Sequence, residues 1–112
     1  MKIPPKVRIG TQVFDIVLRS KQDDGMLNDS TMGYTLDMSN MIVIDSSLPL
    51  TRQRTTLVHE LMHAFSFVFE RTVKPTKKDD YEVWEHHFIS VYEETWVMVL
   101  KDNPELLDYL TA

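Results

Sequence analysis

The sequence contains no cysteine. That excludes disulfides, thiolate metal sites and a cysteine nucleophile. It contains no run of about 18 apolar residues, so no segment reads as a membrane span and no membrane partner is expected. It has no excess of positive charge, since 12 Lys and Arg stand against 17 Asp and Glu, for a net charge of −5. A nucleic-acid module working through a broad basic surface is thereby excluded, and no direct nucleic-acid contact is expected. There is no internal repeat and no low-complexity tract. The opening Met1-Lys2-Ile3-Pro4-Pro5-Lys6 lacks the apolar core of a signal peptide, which points to a cytoplasmic protein.

What is present suits one folded unit. The chain has 112 residues, 43% of them hydrophobic and 26% charged. That is a single domain over residues 1–112, large enough for an ordinary core and too apolar for a disordered segment.

The pattern changes along the chain. Residues 7–19 read as β-structure: Phe14, Ile16 and Leu18 keep a period of two, and Gly10-Thr11 can turn the chain between two short strands. Residues 21–31 are polar and read as a loop. Two strand-like runs, 33–38 and 41–45, flank Ser39-Asn40 and suggest a β-hairpin. From 51 to 70 there is neither proline nor glycine, and Leu57, Val58, Leu61, Met62, Phe65, Val68 and Phe69 recur at helical spacing. A charged loop with a proline follows over 72–80. A second helix is expected over 81–101, with Asp79 and Glu82 in a capping-box-like start and Trp84, Phe88, Val91, Tyr92, Thr95, Trp96 and Val99 on one face. Asn103 as N-cap and Pro104 as first helical residue begin a short helix over 105–110. Strands first and helices afterwards is an α+β order.

The chemistry lies at His59-Glu60-Leu61-Met62-His63. In a helix, residues four apart stand one above the other, so His59 and His63 can offer two imidazole nitrogens to one metal ion. Glu60, next in sequence, can act as general base without occupying a coordination position. Two unused histidines and a glutamate on the most apolar helix would carry a burial cost with no return. A zinc site needs a third protein ligand and an open position. The other two histidines, His86 and His87, adjoin each other on the second helix. Helical spacing about the apolar stripe ranks His87 first, then Glu85, then His86. Tyr34, Tyr92 and His86 are candidate donors to the oxyanion of a hydrolytic reaction.

The segments Gly33-Tyr34-Thr35, Ile42 through Asp45, Gln53 through Val58 and His59 through Ala64 resemble the ImmA/IrrE-type zinc metallopeptidases, and more closely their short phage-encoded relatives. The segment from Val99 to Leu106 resembles the close of those relatives. The resemblance implies a zincin-like α+β fold: a small antiparallel sheet, an active-site helix, a second long helix and a short C-terminal helix. It implies Zn²⁺ held by His59, His63 and a third ligand on the second helix. The family position for that ligand, usually a glutamate, falls on His87, which would make three imidazoles. Glu85 in that role would restore the usual chemistry. It also implies Glu60 as the catalytic base, a peptide substrate pairing with the sheet edge of the 34–44 hairpin, and a protein substrate of the repressor-like transcriptional regulator kind.

Two other functions fit the residues. One is a metal-bearing binding module on a zincin-like scaffold that regulates by contact with little or no proteolysis. The intact Glu60 argues against it, because a structural site needs no general base. The other is a metal hydrolase of non-peptidic substrates, such as an amidase or esterase.

Overall fold

The computed structural model describes residues 2–69 and 81–112. The charged loop over 72–80, Asp79 of the expected capping box, Glu70 at the expected helix end and the Trp84 side chain lie outside the described residues. The element order is β1 (Lys6–Ile9), β2 (Gln12–Arg19), β3 (Gly33–Leu36), β4 (Met41–Asp45), α1 (Leu50–Phe69), α2 (Tyr81–Asp102) and α3 (Pro104–Leu110). This is the expected strands-then-helices arrangement, an α+β zincin-like fold.

The four strands form one sheet in the order β1-β2-β4-β3. β1 and β2 are an antiparallel hairpin turned at Gly10, which adopts a φ of 64°. β3 and β4 are the second hairpin, with Gly33 opposite Ile44 and Leu36 opposite Met41. β2 and β4 run parallel, so the sheet is not wholly antiparallel as the resemblance implied. β4 is central and has both faces covered, which is why Ile42, Val43 and Ile44 form an unbroken buried run. That parallel junction leaves β3 at the edge of the sheet.

α1 buries Leu57, Leu61, Ala64 and Phe65, spaced as one face of a helix. They join Val7, Ile9, Phe14, Ile16, Ile42 and Ile44 in a single core. The Trp96 ring meets Phe65 edge-on at a centroid distance of 4.9 Å, which seats α2 on α1. Among the described residues of the expected stripe on α2, Thr95 and Val99 are the buried ones. Phe88 is 53% exposed.

Asn103 occupies the N-cap position of α3 but makes no side-chain cap bond. Its amide instead donates to the backbone oxygens of Arg8 at 2.8 Å and Val99 at 2.7 Å, while its Oδ1 accepts from the Arg8 N–H at 2.8 Å. The side chain thus pairs with the outer edge of β1 and blocks further strand addition there.

The face of the sheet away from α1 is covered by the loop over residues 20–32. Tyr34 points to that face and donates to Asp24 at 2.5 Å, while Arg19 lies 3.4 Å from the same carboxylate oxygen. The Tyr34 hydrogen bond, followed by the Met26 backbone N–H, holds the Asp24 carboxyl below its ordinary value of 3.8. A carboxyl depressed on folding stabilises the fold above its unfolded pKa, and the contribution is lost as pH falls through the lower folded value. Tyr34→Phe is therefore expected to lower the melting temperature at pH 7. The difference from wild type should close as pH falls below about 3.8. Melting curves across pH 2–7 check this, and a deficit that stays constant over that range would contradict it.

Candidate metal centre

α1 carries the candidate site at the border between its exposed and buried faces. His59 and His63 are exposed, and their Nε2 atoms lie 3.2 Å apart. Their rings meet edge to face at a centroid distance of 4.9 Å. Two ring nitrogens this close must share a proton or a cation. The separation suits a cation well: two nitrogens about 2.0–2.1 Å from a tetrahedral zinc stand roughly 3.3 Å apart.

Glu60 is on the buried side of the same turn, 5% exposed. Its Oε2 is 3.9 Å from His59 Nε2. Its Oε1 accepts from the Thr35 hydroxyl at 2.9 Å, and that hydroxyl also lies 3.1 Å from the Glu60 backbone oxygen. One oxygen is thus tied to the edge strand while the other turns toward the histidines. Among the described residues this is the one group of three His, Asp or Glu side chains whose ligand atoms lie within 4.8 Å of one another.

The close approach of β3 to α1 depends on Gly33. A methyl group there would lie 2.8 Å from the Val43 backbone oxygen and 2.9 Å from Thr56 Cγ2. The register places Gly33 opposite Ile44, and the Asp45 N–H donates to the Met32 oxygen at 2.9 Å. In an antiparallel ladder bonded and non-bonded pairs alternate, so the backbone groups of Gly33 and Thr35 point out from the sheet edge. Gly33→Ala is expected to push β3 away from α1 and destabilise the fold by about 1–3 kcal/mol. Denaturant unfolding measures this, and an unchanged midpoint would show that the strand gives way freely.

The other residues singled out in the sequence lie apart from this group. His87 is half-buried and lines a cavity with Phe69, Val91, Thr95 and Met98. His86 is exposed, and its carbonyl accepts from Ser90 at 2.7 Å. Glu85 is exposed. Tyr34 is on the opposite face of the sheet, engaged with Asp24. The Tyr92 hydroxyl is 2.5 Å from Ser66 Oγ and 3.4 Å from the Met62 oxygen, one turn from His63 on α1. Sequence reasoning missed Gly33 and Thr35 as parts of the site, since no spacing signal links a strand residue to a helix residue 25 positions later.

The profile of the IrrE N-terminal-like domain, a peptidase family, matches residues 8–86, more than half of the chain. The chain belongs to this family. The match takes in the end of β1, all of β2, β3, β4 and α1, and the start of α2. Neither the curated proteins nor the solved structures give a match. Family membership together with the His59-Glu60-x-x-His63 cluster makes this family member a zinc-dependent metallopeptidase acting on a protein or peptide. Among its described residues, no helix is long and apolar enough to cross a membrane.

Proposed function

We propose that the protein cleaves a specific protein partner, a repressor-like transcriptional regulator, in the cytoplasm, with His59 and His63 as zinc ligands and Glu60 as general base. The observation that carries this reading is the 3.2 Å pair of imidazole nitrogens beside a carboxylate anchored at one oxygen only. A purely structural metal site would have no use for the second, unanchored oxygen.

Zinc bound there supplies Lewis-acid polarisation of the peptide carbonyl and makes a water acidic enough to lose its proton near neutral pH. The chain's own residues do the rest. Glu60 takes the proton from the attacking water through Oε2 and hands it to the leaving amine. Thr35 fixes the carboxylate so that this oxygen keeps its direction. The outward backbone groups of Gly33 and Thr35 bind the substrate as an added strand, which brings its carbonyl alongside Glu60. The third protein ligand would come from the first turns of α2, from His87, Glu85 or His86, as the resemblance implies, although these residues lie outside the group formed by His59, Glu60 and His63. Zinc retention in single alanine variants of these three residues identifies which one.

Incubation of the zinc-loaded protein with repressor-like regulators tests the substrate assignment. Discrete fragments are expected from the wild type and none from Glu60→Gln. A regulator inactivated while its chain stays intact would favour the binding-module reading instead.

A further inference from the structure

We infer that Arg52 is a specificity-determining residue that receives a substrate carboxylate in a cleft that reaches His59 and Glu60. The inference rests on the peptidase reading and deepens it.

The cleft, about 290 Å³, is walled by Ser30 and Gly33 from the β3 side and by Arg52 and Thr56 from α1, and it opens onto His59 and Glu60. Arg52 precedes His59 by seven residues, which at about 100° per residue puts the two within roughly 20° of one line along the helix. Thr56 falls between them and His63 continues the line. The rise from Arg52 to His59 is about 10.5 Å, a gap that a substrate side chain and an extended arginine close between them.

Among the described residues, Arg52 is the one Lys or Arg lining this cleft. Its guanidinium makes no hydrogen bond or ion pair among the described residues, and no acidic residue shares the first turn of α1. Helix stability does not explain it, because a cation in the first turn faces the positive end of the helix dipole. What remains is a fork of N–H donors beside the reacting groups, matched in shape to a carboxylate. The same charge repels a substrate lysine or arginine from this position. The carboxylate is that of an Asp or Glu side chain next to the cleaved bond, or the C-terminus of the peptide.

Two peptide libraries, one with free and one with amidated C-termini, are digested with the zinc-loaded full-length protein. Peptides with Asp or Glu at one position flanking the cleaved bond should have kcat/KM about 10–100-fold above those with Ala there. Arg52→Ala should remove that advantage through KM while leaving neutral peptides unchanged, and Arg52→Glu should shift the preference to Lys and Arg. Cleavage that favours bonds near a free C-terminus, and fails on amidated peptides, assigns the carboxylate to the terminus. A wild type indifferent to acidic residues, or an Arg52→Ala variant that keeps the preference, overturns the inference. If the wild type cleaves no peptide, the peptidase reading falls on its own. The Arg52 assignment is then decided by binding of labelled acidic and neutral peptides: equal affinities in wild type and Arg52→Ala would overturn it.

Discussion

Replacing Glu60 with glutamine is expected to lower kcat by about 10²–10⁴-fold, the usual worth of a general acid–base group. Zinc content and melting temperature should stay near wild type. Glutamine has the same shape, and its amide oxygen still accepts from Thr35 where Oε1 does now, at 2.9 Å. What it loses is the ability to take a proton at the other oxygen. The exposed imidazoles of His59 and His63, 3.2 Å apart at Nε2, are unaffected. A variant with unimpaired turnover would remove Glu60 from the chemistry. A variant that lost zinc as well would make Glu60 a ligand and not a base.

His63→Ala is expected to reduce activity to background and weaken zinc binding by orders of magnitude, since it removes one of two ligands presented by a single rigid element. The fold should survive. His63 is exposed, while the core beside it is carried by Leu61, Ala64 and Phe65, each 0% exposed. Zinc should raise the melting temperature of the wild type, because ligand that binds only the folded state stabilises it. The variant should show no such rise at the same zinc concentration. Equal zinc-dependent stabilisation in the two proteins would place the metal elsewhere.

The two expected outcomes differ in which part of the site they remove, and both parts were legible in the sequence for a simple reason. The spacing of His59, Glu60 and His63 is a local property of one helix, and helical periodicity is strong where Leu57, Leu61, Ala64 and Phe65 repeat. The same local signals gave the two hairpins and the start of α3 at Pro104. The features that failed to show depend on contacts between distant segments. The parallel pairing of β2 with β4 has no periodic signature, yet it decides that β3 is the edge strand. Thr35 reads as an ordinary strand residue until the edge is laid against α1. Asn103 carries the composition of an N-cap, but its amide finds better partners on Arg8 at 2.8 Å. On α2 the apolar stripe is real, but a stripe says only that a face can be covered. Thr95 and Val99 are buried, while Phe88 on the same stripe is exposed. Ranking His87, Glu85 and His86 by that stripe orders them by helical angle alone, and of the three only His87 is half-buried while Glu85 and His86 are exposed.

Zinc per chain, measured by elemental analysis on the full-length protein purified without added metal and again after reconstitution with Zn²⁺, tests the central claim most directly. The account predicts about one zinc per chain, lost on chelation together with peptide cleavage and restored with it. A protein that holds no zinc after reconstitution would contradict the account, whatever family its sequence belongs to.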